Sequence, residues 1–428
     1  MTFEELKICP ALLKAVAGYG YETPTPIQTD TIPHALEGRD VMGLAQTGTG
    51  KTAAFVLPIL QRLMDGPRGH VRALVVAPTR ELADQIHETF NELGKGSRMR
   101  SMVIYGGVNI NPQAQKLREG AEIVVACPGR LLDHIGQGFI RLNRLEVLVL
   151  DEADRMFDMG FLPDVRKIVK QIPAKRQTLL FSATMPADIR RLTNEILTDP
   201  VVVQVDITAP VETVSHALYP VAPHLKTSLL IELLRRTDKE SVLVFTRTKH
   251  RAKRVGEQLE KAGFTAASLQ GNLSQNRRQA ALEGFRDGTY QVMVATDIAA
   301  RGIDVSKISH VINYDVPDTA DAYTHRIGRT GRAAKTGDAF TLVSPEDTDM
   351  VRTIERLLGS KPETRTLPGF DYSVPAPTRP TEFARPPLPP RRHREQAGGR
   401  QNNPRQPASV IPGNKPAPRP KAVLRRPK

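Results

Sequence analysis

Two consecutive α/β units, each built on a parallel sheet and followed by a disordered basic tail, are predicted by three observations. Short runs of β-branched and aliphatic residues recur between helix-length segments: Val71–Val76, Ile123–Val125, Val147–Leu150 and Thr178–Phe181. After a gap come Val242–Phe245, Gln291–Val294, Val311–Tyr314 and Ala339–Val343. These runs alternate poorly between apolar and polar, as strands buried on both faces of a parallel sheet do. The pattern then stops near Ser360: residues 361–428 hold 16 of the 34 prolines and 15 basic against 4 acidic residues. Such a stretch buries too little apolar surface to offset its ordering entropy. A chain of 428 residues has room for two domains and a remainder. The expected boundaries are residues 1–205 for the first unit, 206–214 for a linker, 215–358 for the second unit and 359–428 for the tail. The linker falls inside Thr198–Val214, a crossover without helical periodicity.

The net charge is +14, yet the first 360 residues carry 45 basic and 42 acidic groups and are nearly balanced. A hydrophobic fraction of 40% with 25% charged residues is that of an ordinary soluble chain. No stretch approaches the ~20 apolar residues of a membrane span. The opening MTFEELKICP has acids where a signal peptide has a basic and then an apolar region. Cys9 and Cys127 have no CxxC partner, and the histidines show no zinc-ligand spacing. A monomer in a reducing, cytoplasmic compartment is expected.

In chain order, the first chemical signal is Ala45-Gln-Thr47-Gly48-Thr49-Gly50-Lys51-Thr52, between the apolar segment Asp40–Leu44 and a helix expected over Ala53–Met64. Glycines let backbone N–H groups curl around phosphate oxygens, and the following helix offers its N-terminus to negative charge. Lys51 is placed to reach the β- and γ-phosphates, and the Thr52 hydroxyl to ligate Mg²⁺. The general phosphate-loop pattern has Gly where Ala45 stands, and a plain turn ahead of a helix has the same composition. Next, Leu145–Leu150 runs into Asp151-Glu152-Ala153-Asp154. Alone this is an acidic helix start. Beside the phosphate loop, Asp151 at a strand end suits Mg²⁺ and Glu152 suits activation of the attacking water.

Together these segments resemble the DEAD-box family of ATP-dependent RNA helicases, and the resemblance runs in order through most of the first 345 residues. It implies two tandem RecA-like domains, RNA-stimulated ATP hydrolysis with ATP and Mg²⁺, and closure of the domains around one RNA strand with local, non-processive unwinding. Gly20-Tyr21-Glu-Thr-Pro-Thr-Pro26-Ile-Gln28 resembles the family's Q motif, which implies that Gln28 reads adenine and Tyr21 stacks on it. A glutamine amide carries the donor and acceptor that adenine's N7/N6 edge needs. Ser182-Ala183-Thr184 resembles the SAT motif, implying that Ser182 and Thr184 couple the site to unwinding together with Asp154. A hydroxyl capping the following helix is the compatible plain reading.

In the second unit Ala295-Thr296-Asp297 through Arg301-Gly302-Ile-Asp304 resembles motif V, and His325-Arg326-Ile-Gly-Arg329-Thr-Gly-Arg332 resembles motif VI. Phosphoryl transfer needs positive charge on the γ-phosphate. The resemblance implies that Arg329 and Arg332 supply it across a cleft, that Gly302 and Asp304 meet the ribose, and that His325 links the closed site. RNA contacts are implied for Pro78, Thr79 and Arg80, for Gly106 and Gly107, for Gly129 and Arg130, for Gln275 and Arg278, and for Thr296 and Asp297. Cys127 stands where the family has Thr, and a thiol is a poor hydrogen-bond partner. The basic tail lacks aromatic residues from Ala384 on, so it neutralises phosphates without stacking bases. Ribosome-assembly or RNA-decay proteins are the protein partners implied, with no membrane. The short core and compact basic tail resemble a bacterial RhlE-like member. A DNA-tracking motor and an RNA annealer with a vestigial ATPase are the rival readings.

Overall fold

Parallel pairing throughout, with crossovers between neighbours, is what the unalternating apolar runs demand. The computed structural model describes residues 1–46, 48–205, 214–237, 241–300, 308–330 and 337–376. Seven strands form the first sheet: β1 Val41–Leu44, β2 Ala73–Val76, β3 Ser101–Ile104, β4 Ile123–Ala126, β5 Val147–Leu150, β6 Gln177–Ser182 and β7 Val201–Gln204, in the order β3-β4-β2-β5-β6-β1-β7. The second sheet holds β8 Val214–Pro220, β9 Val242–Phe245, β10 Ala266–Leu269, β11 Val292–Ala295, β12 His310–Asn313, β13 Gly337–Val343 and β14 Glu363–Thr364, in the order β10-β11-β9-β12-β13-β8-β14. Each sheet is the core of one RecA-like domain, and residues Met1–Val374 form one compact unit containing both.

Successive side chains of one strand serve opposite apolar layers. Val147 and Val149 join Phe55, Leu57 and Phe181 on one face, while Leu148 and Leu150 join Met156, Val165 and Leu192 on the other. Both faces are therefore dry, which explains why the runs read as continuous rather than alternating. Val292 and Val294 face one layer of the second domain, and Met293 and Ala295 the other. No helix among the described residues is long and apolar enough to cross a membrane.

Two boundaries differ from those expected. Val201–Gln204 is a strand parallel to β1 rather than part of a crossover, and Val214 already opens β8. As an edge strand with Val202 exposed, β7 lacks the fully apolar signature of its neighbours. The remainder of the expected linker, residues 206–213, and the tail from residue 377 lie outside the described residues.

The ordered chain also continues past residue 359. Glu363 and Thr364 pair with Ala217 and Leu218, and the Arg365 N–H donates to the Leu218 carbonyl at 2.8 Å. Leu367, Phe370 and Tyr372 then pack against the apolar layer around Leu229, Leu230 and Leu233. Arg236 donates to the Pro368 carbonyl, and the His224 ring lies 2.7 Å from the Val374 carbonyl. Three apolar side chains in a proline- and arginine-rich context are enough to pin this strap, although composition alone places it in the tail.

Candidate active site and nucleic-acid interface

The phosphate loop is shaped by what crowds it. Gly48 and Gly50 both have φ of 90°, and a Cβ on Gly50 would lie 2.5 Å from the Gln28 amide nitrogen. That amide closes the loop: Gln28 Nε2 donates to the Gly50 carbonyl at 3.1 Å, while Oε1 accepts the Thr25 N–H at 3.0 Å. Thr25, not singled out in the sequence, donates its hydroxyl to the Thr49 carbonyl at 2.8 Å. Gln28 thus ties the Q segment to the phosphate loop and keeps one N–H and one lone pair for a base. The helix starts at Lys51, two residues earlier than expected, and Lys51 Nζ is buried with a 2.8 Å bond to the Ala45 carbonyl. Thr47 lies outside the described residues.

Around this loop is a cavity of about 460 Å³ lined by Tyr19, Tyr21 and Gln28 at one end and by Lys51, Thr52, Asp151 and Glu152 at the other. Tyr21 stacks on Phe3, with centroids 6.4 Å apart, and meets Tyr19 edge-on at 5.1 Å. Tyr19 has no motif signal and is recognised only by its place in this wall.

The acidic segment follows β5 directly. Asp151 is buried, which pushes its pKa up, and the nearby Lys51 ammonium pulls it back. One Asp151 oxygen accepts the Glu152 N–H at 2.9 Å. Glu152 sits in the left-handed region at φ 52°, ψ 53°, a conformation that costs a non-glycine residue roughly 1–2 kcal/mol. Its carboxylate takes a 2.8 Å bond from buried Arg155, a partner one helical turn on. A carboxylate and a hydroxyl at the phosphate end of the cavity are the hard oxygen donors a Mg²⁺ ion takes, with substrate and water completing its shell.

Asp154 reaches β6. It accepts from the Ala183 N–H at 3.2 Å, the Thr184 N–H at 3.0 Å and the Thr184 hydroxyl at 3.2 Å. Its own N–H donates to the Ser182 hydroxyl at 3.1 Å. Ser182 therefore caps the acidic segment and not the next helix, whose N-cap is Pro186 without a side-chain bond. Four hydrogen bonds thus tie the two motifs together.

Across the cleft, a cavity of about 740 Å³ is lined by Asp154, Arg155 and Thr184 from the first domain and by Asp297, His325, Arg326 and Arg329 from the second. A smaller one brings Gln46, Arg155 and Ala183 against His325 and Arg329. The structure thus brings Arg329 and His325 to the acidic segment; Arg332, Gly302 and Asp304 lie outside the described residues. Arg326, unassigned from sequence, is the buried hub of this region. It holds Asp297 with two bonds of 2.6 and 2.7 Å and also donates to Asn313 Oδ1 and the Asp315 carbonyl.

Most groups expected to touch RNA already bind protein. Thr79 caps the helix Arg80–Leu93 through Leu82 N–H, and Thr296 accepts the Ala299 N–H. Pro78 is buried, and Asp297 is held by Arg326 as above. Arg130 gives both terminal nitrogens to the Val108 carbonyl at 3.0 Å. Gly106 and Gly129 keep open space around their Cα atoms. The Gln275 segment instead forms a clasp with the first domain: Arg80 donates to Gln275 at 3.0 Å, and Arg278 pairs with Glu81 at 2.8 Å, both carboxylate and guanidinium well sheltered. Cys127 occupies the N-cap of the helix Pro128–Gly136 without capping it, and burial pushes its thiol up to about 12. The first cost of the missing Thr is thus a helix cap.

Gly107 supports the clasp. Its φ is +77°, and a Cβ there would lie 2.3 to 2.6 Å from the Arg80 guanidinium. Gly107→Ala therefore displaces Arg80 from Gln275, and loss of a bond to a charged group costs about 1.5–3 kcal/mol. The expected result is an RNA requirement for half-maximal ATPase stimulation raised about tenfold or more, with ATP hydrolysis in the absence of RNA kept. An unaltered RNA titration would remove the clasp from the account.

Comparison with known proteins adds the following. The DEAD/DEAH box helicase model matches residues 25–192, and the helicase conserved C-terminal domain model matches residues 225–334. The chain is 43% identical over 376 residues to the DEAD-box ATP-dependent RNA helicase CshA of Bacillus cereus, covering 87% of this chain and 71% of that one. It is 42% identical over 375 residues to CshA of Bacillus subtilis, covering 87% and 76%. Among solved structures, S. cerevisiae Dbp5 bound to RNA and ADP BeF3 is similar with a TM-score of 0.76 and 30% identity, over 85% of this chain and 95% of that one. A DEAD box protein from Methanococcus jannaschii gives 0.51 and 35%, over 86% and 99%.

Proposed function

The chain belongs to the DEAD-box family of ATP-dependent RNA helicases, and from that premise we propose a mechanism for its RNA-stimulated ATPase. ATP and RNA jointly hold the two domains together, one strand is bent across their strand ends, and a short duplex separates locally without processive tracking. The observation that carries this reading is the cleft where Arg329 and His325 of the second domain face Arg155, Asp154 and Thr184 of the first.

ATP would lie in the cavity between Tyr21 and Glu152, with its base toward Tyr21 and Gln28 and its phosphates on the loop 45–52. Asp151 and Thr52 would hold Mg²⁺, partly through water, and the ion would supply charge neutralisation at the β- and γ-phosphates. Glu152, buried and oriented by Arg155, takes a proton from the attacking water. Arg329, with Arg332, stabilises charge on the transferred phosphoryl group. A ligand favours one conformation only by binding it better than the other. These arginines come from the second domain, so their contacts exist only when the domains are joined. Asp154 then passes the state of the acidic segment to Ser182 and Thr184 through bonds already in place. The basic tail adds phosphate neutralisation without sequence preference and independently of nucleotide.

The test compares ATP turnover with single-stranded RNA and with DNA of the same sequence. RNA is expected to stimulate turnover about tenfold or more, a difference of ~1.4 kcal/mol or above, and DNA little. Equal stimulation by DNA would favour the tracking motor.

A further inference from the structure

We propose that Arg286 is a nucleotide contact delivered to the first domain's site by the second domain. The inference rests on the reading that the cavity between Tyr21 and Glu152 is the ATP site, and adds a residue that no motif marks. Arg286 is the last residue of the helix Gln275–Arg286 and lines that cavity together with Tyr21, Gln28 and Lys51. It is exposed, and among the described residues its guanidinium makes no hydrogen bond or ion pair. An arginine side chain aimed at a cavity without a protein partner has all its donors available.

The clasp explains how a second-domain residue gets there. Arg80 and Glu81 start one helix, and Gln275 and Arg278 start the other. From Glu81 to Glu88, and from Arg278 to Arg286, each helix advances about two turns. Both then reach the same cavity, where Glu88 and Gln85 stand on the first domain's wall. Closing the clasp therefore carries Arg286 to the nucleotide.

Charge balance gives the contact a purpose. The wall carries the acidic groups Glu88, Asp151 and Glu152, against Lys51 and Arg286. A nucleotide phosphate chain is polyanionic, and without Arg286 Lys51 is the one basic side chain among the described lining residues. Arg329, assigned above to the transferred phosphoryl group, lines the neighbouring cavity beside Asp154 and Thr184, so it leaves the rest of the phosphate chain to Lys51 and Arg286. Arg286 thus binds a part of the nucleotide that ADP shares with ATP.

In the full chain, Arg286→Ala is expected to raise the KM for ATP and the ADP dissociation constant, both with RNA present, about tenfold. The KM is expected to rise by a larger factor than the turnover number falls, as for a contact shared by bound substrate and transition state. Arg286→Lys should recover part of the loss by restoring charge without the planar fork. An unchanged ATP KM and ADP affinity in Arg286→Ala would overturn the proposal. So would a raised RNA requirement with unchanged ATP KM, which would make Arg286 a clasp residue paired with Glu88. Absence of any RNA-stimulated turnover in the unaltered protein would instead defeat the reading of the site itself.

Discussion

Glu152→Gln is expected to lower the ATP turnover number by about 10²–10⁴-fold, the range general-base catalysis supplies, while nucleotide and RNA binding persist. The substitution is nearly isosteric, and a glutamine oxygen still accepts the 2.8 Å bond from Arg155. The left-handed backbone at residue 152 and the bond from its N–H to Asp151 are untouched. What disappears is the carboxylate's ability to take a proton at the hydrolytic end of the cavity. Because the joined state then ends more slowly, RNA release in the presence of ATP should slow in step. Steady-state hydrolysis and RNA dissociation measured on the same preparation check both. A loss below about tenfold would show that Glu152 is not the base.

Arg326→Ala should destabilise the second domain by about 1.5–3 kcal/mol, the cost of losing hydrogen bonds made by a buried charged group, with the half-exposed Asp297 carboxylate left to water. Arg326 is 2% exposed and joins three strands at their carboxyl ends. It pairs with Asp297 after β11, bonds Asn313 on β12 and the Asp315 carbonyl beyond it, and lies 5.1 Å from the Phe245 ring centroid at the end of β9. Removing the guanidinium leaves the side-chain oxygen of fully buried Asn313 without this donor, while its amide nitrogen keeps the bond to Thr341 at 3.1 Å. Lysine is no remedy, since one ammonium cannot reproduce the fork. Hydrogen exchange across β11 and β12 measures this directly. Unchanged protection there would make Arg326 dispensable to the fold.

The sequence was legible where burial or backbone chemistry leaves a local mark. Fully buried strands such as β5 and β9 read as apolar runs, and the phosphate loop reads from glycines that must adopt positive φ. The edge strand β7 and the two-residue β14 leave no such mark, because an edge is only half buried. Arg80, Gln275 and Arg278 show the limit on function. A basic group at a strand end looks the same whether its partner is a phosphate or a carboxylate far along the chain, and only the tertiary fold puts Glu81 beside Arg278. Arg326 was hidden differently, as one of three arginines in a short motif, where nothing local separates the guanidinium that pairs with Asp297 from Arg329 beside the cleft.

The strap at residues 363–374 has a consequence for solubility. β8 would be the outermost strand of its sheet without β14, and an uncovered strand edge is a template for pairing with another chain. The same strap shields part of the apolar layer around Leu229 and Leu233. A chain cut at Ser360 would thus present a sticky rim, and its self-association would masquerade as altered affinity for RNA. The protective rim ends at Val374.

 Of the 15 basic residues from Lys361 on, 13 lie beyond Pro375. A cut there removes most of the tail's charge and leaves the strand edge and the apolar layer covered.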